Sequence, residues 1–185
     1  IDHRHDRVYI TMTRLFKRQV INMNYLFEDH GLSWQNFDER AYIRSASHFT
    51  AVATKLQDGK KALFTDLTGE KLKQVLIASC SMPFMMDPAP TPDGLCLDGG
   101  IADSIPFDVA QEQGYDKIIV VRTRDISYRK KPSSRPVCQL YRRYFKDYPQ
   151  FAEAGILRPE VYNQQVAQIE HLRRTGQIFN IAPQH

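Results

Sequence analysis

Cysteine is scarce in this chain. Cys80, Cys96 and Cys138 are the whole complement, and none stands in a C-x-x-C pair. An odd, sparse set excludes a disulfide scaffold and fits a reducing compartment, so a cytoplasmic protein is expected. Long apolar runs are also missing. Nothing approaches the roughly 20 residues a membrane helix needs, so at most a peripheral association with a membrane is expected. Walker, Rossmann and zinc-ribbon patterns are absent. His3 and His5 have a possible metal spacing but no third ligand nearby. No cofactor and no metal site are therefore expected. The first residues, Ile-Asp-His-Arg-His-Asp, are polar and hold no signal-peptide core. They also lack an initiator Met, so a fragment or a processed product is expected. There is no internal repeat.

What remains is the composition of a globular protein: 185 residues, 42% hydrophobic and 25% charged, with a mean hydropathy of -0.46. Such a chain buries a core of its own. The net charge of +4 is unevenly spread. Residues 122–148 carry nine Lys/Arg and two Asp/Glu; the rest carries 16 basic and 19 acidic residues. One segment thus supplies all the positive excess. It is either a solvated basic face or a surface for anionic lipid, nucleic acid or an acidic protein.

Local patterns predict an α/β fold. Asn36, with Glu39 three residues on, predicts a capping box. Residues 49–54 and 61–65 are rich in strand formers and flank Asp58-Gly59, which predicts a hairpin. Leu72, Val75 and Leu76 have helical spacing, and that helix must end before Pro83. Four Pro and Gly residues across 87–94 predict a loop. Leu95-Cys-Leu97 predicts a short strand ended by Asp98-Gly99-Gly100. Pro106 suits the first position of a helix, and Gly114 its left-handed end. Lys117 to Val121 read as a strand buried on both faces of a parallel sheet. Strand, helix and strand together predict a βαβ unit. Residues 125–136 read as a surface connection. Tyr141, Phe145 and Tyr148 form a helical stripe. A last helix is predicted from about Pro159 to Thr175, with Tyr162, Val166, Ile169 and Leu172 on one face and Gly176 at its end. Ile178 to Ile181 read as a last strand.

Asp98 is the candidate that carries chemistry. Ligands of parallel sheets bind beyond the carboxyl ends of strands, and an acidic side chain held there can act as a general base. The turn-forming role of Asp is the alternative. Gly99 and Gly100 permit a sharp turn and a close approach. Asp103, just before the helix, reads as a helix-end charge or turn residue.

The run Leu97-Asp-Gly-Gly-Ile-Ala-Asp-Ser-Ile-Pro106, with Ala110, Gly114 and Lys117-Ile-Ile-Val-Val121, resembles the aspartate block of bacterial patatin-like phospholipases. Ala78-Ser-Cys-Ser-Met-Pro83 resembles that family's A-S-x-S-x-P segment. Tyr128-Arg-Lys-Lys-Pro132, Tyr148-Pro149, Tyr162-Asn163 and Gly176 resemble its C-terminal part. The resemblance covers nearly the whole chain and is weakest in the first 20 residues.

It implies a patatin-type sheet with flanking helices and a lipid acyl hydrolase with a Ser–Asp dyad. The aspartate of that dyad falls on Asp98, supported by Gly99 and Gly100. The nucleophile would stand in G-x-S-x-G, and none of the nine glycines at 31, 59, 69, 94, 99, 100, 114, 155 and 176 brackets a serine in that way. The glycine-rich oxyanion loop is missing too. The expectation is therefore residues 1–185 as the C-terminal portion of a single patatin-like domain, its sheet incomplete for want of N-terminal strands. Expected partners are a lipid or other ester substrate, an anionic membrane surface, and the missing segment or a second copy of the chain.

No other residue replaces the serine. Ser79 and Ser81 at a helix end read as capping or packing residues. Cys80 and Cys96 read as buried, inert thiols. His171 follows Asp98 in the order of a Ser-Asp-His triad, but it is offset from its helix's apolar stripe and reads as solvated. His48 reads as a packed or surface residue. The alternative function is a non-catalytic domain that binds membrane or nucleic acid through 122–148, where Tyr128, Tyr141, Tyr144, Phe145 and Tyr148 interleave with the charges.

Overall fold

A computed structural model describes residues 34–184. These described residues divide into two compact units, one up to Gly99 and one from Gly100.

In the first unit, a turn at Trp34–Asn36 leads into helix α1 (Glu39–Arg44). Its cap is Asp38, whose Oδ1 accepts from the N–H of Ala41 at 2.9 Å, so the predicted capping box at Asn36 is corrected. Glu39 points elsewhere and accepts from the N–H of Gly69. Strands β1 (Thr50–Lys55) and β2 (Lys61–Thr65) form the expected antiparallel hairpin, with Thr50 opposite Thr65 and Thr54 opposite Lys61. Helix α2 (Gly69–Cys80) ends before Pro83 as predicted. Residues 87–94, predicted as loop, instead include strand β3 (Ala89–Thr91), which pairs with β4 (Gly94–Asp98). Pro90 is tolerated there because β3 is an edge strand of the β2-β1-β4-β3 sheet.

Alternation along β1 and β2 turns Ala51, Ala53, Ala62 and Phe64 inward. They meet Val75 and Ala78 of α2, with Ala89 and Cys96. Five alanines in this layer let the helix approach the sheet closely. The small side chains limit the apolar area gained per residue, and close packing compensates through dispersion contacts.

The second unit contains α3 (Phe107–Glu112), β5 (Ile118–Val121), α4 (Arg135–Tyr144), α5 (Pro149–Arg174) and β6 (Ile178–Ile181). Pro106 caps α3, one position earlier than predicted, and Gly114 closes it with φ +75°. The predicted βαβ pairing needs correction: β4 pairs antiparallel with β1 and β3, whereas β5 pairs parallel with β6. The crossover of the parallel pair is made by α4 and α5. Strand β5 is buried on one face only. Ile118 and Val120, with Ile178 of β6, pack against Phe107 of α3 and Ile169 of α5. On the other face Ile119, Val121, Phe179 and Ile181 are 47–70% exposed.

Helix α5 starts ten residues before the predicted position. Pro159 looked like a first-turn residue but lies inside the helix. An interior proline costs about 3 kcal/mol. The upstream turns offset it by burying Phe151, Ala152, Gly155 and Ile156. Phe145 meets Phe151 edge-on at 4.6 Å, and Gly155 lies so close to the Tyr141 ring that a Cβ would sit 2.2 Å from it. Of the predicted stripe, Tyr162, Val166 and Ile169 are buried and Leu172 is half-buried.

Candidate functional site

Asp98 is the last residue of β4, at the strand end that the sequence indicated. Two hydrogen bonds fix its backbone. Its N–H donates to the carbonyl of Ser81 at 2.8 Å, and its carbonyl accepts from Thr54 Oγ1 at 2.8 Å. Thr54 is fully buried, so this hydroxyl would be costly to leave unpaired. It pins the end of β4 to β1, where Ala53 stands opposite Asp98. The Asp98 residue itself is half-buried.

Gly99 is required by close approach. A Cβ there would lie 2.2 Å from the Val52 carbonyl oxygen and 2.7 Å from its carbon, which is backbone and has nowhere to go. Gly100 opens the second unit, and its carbonyl accepts from Ser104 Oγ at 2.7 Å.

The segment after α2 runs beside Asp98. Ser79 Oγ donates to the Val52 carbonyl at 2.7 Å and Ser81 Oγ to the Ile77 carbonyl at 2.8 Å. Both serines hold backbone, as expected for packing residues. Cys96 is buried as expected, but Cys80 is exposed by accessible area, which corrects the expectation for that residue. Enough protein still surrounds its sulfur that burial, and after it the negative charge of Asp98, holds the thiol above its ordinary pKa. Burial also raises Cys96, partly countered by its hydrogen bond with Thr91. A thiol held in its neutral form is a poor nucleophile.

Asp103, read as a helix-end charge or turn residue, lies in the irregular segment ahead of α3. It is 5% exposed and accepts from Gln165 Nε2 at 2.5 Å. Gln165 also accepts from the N–H of Ile105 at 3.2 Å. This anchor was missed in the sequence because a glutamine at position 165 interrupts no apolar position of α5.

His171 is exposed in the last turn of α5. It lines an open groove with Phe107, Asp108, Gln111, Gln168 and Leu172. His48 is a surface residue whose Nδ1 lies 2.5 Å from Asp66 Oδ2. His3 and His5 lie outside the described residues. Among the described residues no three His, Cys, Asp or Glu side chains form a metal-binding group, and no helix is long and apolar enough to cross a membrane.

Several aromatics of the basic segment are used for packing. Tyr141 and Phe145 are buried, Tyr144 lies edge-on to Phe145 at 4.7 Å, and Tyr128 lies edge-on to Tyr162 at 5.9 Å. They do not form a free stacking platform for bases.

In this mixed α/β chain an aspartate clamped at the end of β4 is followed by a glycine pressed on the neighbouring strand. The patatin-like phospholipase family model matches residues 7–110, more than half of the chain, and the chain belongs to that family. The match spans α1 to β4, the Asp98-Gly99-Gly100 turn and most of α3. Residues 148–185 match a separate model, a domain of unknown function (DUF6363). No curated protein matches the chain.

Proposed function

We propose that this chain supplies the aspartate half of a Ser–Asp lipid acyl hydrolase, as the C-terminal portion, residues 1–185, of a single patatin-like domain. Asp98 is the general base, and Gly99 and Gly100 shape the turn that presents it. The observation that carries this reading is the double backbone clamp on Asp98, from Ser81 and Thr54. A base must be held within hydrogen-bond reach of the proton it takes, and a clamped strand end provides that rigidity.

A free carboxylate with a pKa of about 3.9 is a weak base for an alcohol. Desolvation on substrate binding would strengthen it. Oxyanion stabilisation, about 3–4 kcal/mol per donor, would supply much of the acceleration. These 185 residues hold no G-x-S-x-G serine, so the nucleophile comes from outside them. The substrate is a lipid or another carboxylic ester.

The test is p-nitrophenyl ester hydrolysis by the 185-residue chain, by a longer chain carrying a G-x-S-x-G segment, and by that longer chain with Asp98→Asn. The expected results are background rates for the first, turnover for the second and loss of turnover for the third. The amide keeps the shape of the carboxylate but cannot accept the serine proton. Full activity in the bare chain or in the Asn variant overturns the reading.

A further inference from the structure

The second unit carries a feature that the Asp98 reading leaves unused. Parallel strands β5 and β6 end together, with Val121 beside Ile181, and the chain leaves β5 through Arg122. The N–H of Arg122 donates to the Ile181 carbonyl at 2.8 Å. Its side chain is then folded inward: Arg122 is 6% exposed and its Nε donates to Asn180 Oδ1 at 3.2 Å. Nη1 of the same guanidinium is buried with no acceptor. A buried charged donor without an acceptor is costly, and native proteins normally provide one.

More positive charge gathers at the same strand end. Lys130 Nζ lies 4.3 Å from the centre of the Tyr162 ring. Arg124 lies 5.1 Å from the centre of the Tyr128 ring, which itself meets Tyr162. Arg129 is folded back, with Nη1 donating to the carbonyls of Ile126 and Tyr128 at 2.9 Å each. The loop is locked to α5 by a reciprocal pair, Lys130 N–H to Asn163 Oδ1 and Asn163 Nδ2 to the Lys130 carbonyl, both 2.9 Å. The acid in this stretch, Asp125, accepts from the N–H and hydroxyl of Ser127. At the Tyr162 hydroxyl, burial raises the pKa and the charges of Arg122, Arg129 and Arg124 pull against it. Tyr162 thus remains a neutral donor amid cations.

We infer that the loop after β5, with Arg122, Arg124, Lys130 and Tyr162, is a binding site for a phosphate group. Several cationic side chains around the Tyr128–Tyr162 pair suit a tetrahedral oxyanion, which offers more acceptor oxygens than a carboxylate. The position beyond the carboxyl ends of parallel strands is the usual place for such a ligand. The inference is independent of the role of Asp98. The phosphate belongs to a soluble phosphomonoester or to a phospholipid head group.

The experiment is calorimetric titration of the 185-residue chain with inorganic phosphate at constant ionic strength. It is paired with sedimentation on phosphatidylcholine vesicles with and without phosphatidic acid. Saturable phosphate binding is expected, weakened about tenfold by Arg124→Gln or Lys130→Gln. These two variants stand in for Arg122→Gln, which risks the fold, and circular dichroism checks that they remain native. Sedimentation with phosphatidic acid vesicles, competed by phosphate, assigns the ligand to a head group; phosphate binding without it assigns a soluble ligand. Absence of saturable phosphate binding, or binding unchanged in both variants, overturns the site. Binding of an RNA oligonucleotide that phosphate does not displace also overturns it.

Discussion

The N–H of Asp98 donates to the Ser81 carbonyl at 2.8 Å, which ties the end of β4 to the turn that follows α2. Seventeen positions of sequence separate the two residues, and the intervening hairpin of β3 and β4 brings them together. The bond brings the Asp98 carboxylate within electrostatic reach of Cys80, the neighbour of Ser81.

That proximity predicts a thiol effect independent of catalysis. Asp98→Asn removes the negative charge that helps hold the Cys80 thiol neutral. Labelling of Cys80 by a thiol reagent at pH 8 should then accelerate severalfold, while Cys96 is unchanged. Peptide mass spectrometry of each cysteine reads the rates. An unchanged Cys80 rate would contradict the proximity.

Gly99→Ala should lower stability by about 2–3 kcal/mol or more, since overpacking against backbone cannot relax through a rotamer change. The Val52 carbonyl is the obstacle. Urea denaturation measures the loss. Gly114→Ala is an informative comparison, because a Cβ there meets nothing within 4 Å and its cost comes from the positive φ.

Asp66 gives a pH dependence. Its carboxyl is held below the usual range, first by the His48 hydrogen bond and then by the N–H of Phe49. A depressed folded-state pKa contributes stability that is complete above the unfolded value of about 3.9 and is lost as pH falls through the folded value. The urea midpoint should fall less steeply below pH 4 in Asp66→Asn than in the parent. Asn is the apt replacement because residue 66 has φ +53°, a conformation Asn tolerates.

His171→Ala, in a longer chain that carries the serine segment, should leave the chemical step nearly intact. The histidine is exposed in the last turn of α5. A drop of several orders of magnitude in turnover, with the fold preserved, would establish a Ser-Asp-His triad instead.

The uncovered face of β5 and β6 predicts self-association. Ile119, Val121, Phe179 and Ile181 form a contiguous apolar patch, of the kind that promotes contact between copies. The 185-residue chain should sediment as a dimer or larger species at micromolar concentration. Phe179→Ser, at 66% exposure, should shift it toward monomer without loss of helicity. A monomer in the parent chain would refute this.

Several local signals were legible in the sequence. The Asp58-Gly59 turn between two strand-rich runs gave the hairpin, Leu72 and Val75 gave α2, and Gly114 gave the end of α3. Asp98 at a strand end was visible for the same reason, because the apolar run and the glycines that bound it are adjacent in sequence. The start of α5 was hidden by Pro159, since a local rule that places proline in a first turn cannot weigh the burial of Phe151 and Ile156 against Tyr141 and Phe145.

The amino-acid sequence by itself determined most of the element types, β3 excepted, and singled out Asp98 as the candidate base. Periodicity and turn chemistry act over a few residues. Beyond the β1–β2 hairpin, only the tertiary structure decided which strands pair. An apolar tetrapeptide such as Ile118–Val121 has no preference for a particular neighbour, so its pairing with β6 depends on α5, which packs Ile169 against Val120 and Ile178 on one face of the pair. Tertiary structure also decided that Thr54 secures Asp98, that Gln165 secures Asp103 and that Arg122 turns inward at the strand end. Each is a contact between residues 44 to 62 positions apart. No local pattern encodes such contacts, because their free energy comes from burial that exists only once the chain has folded.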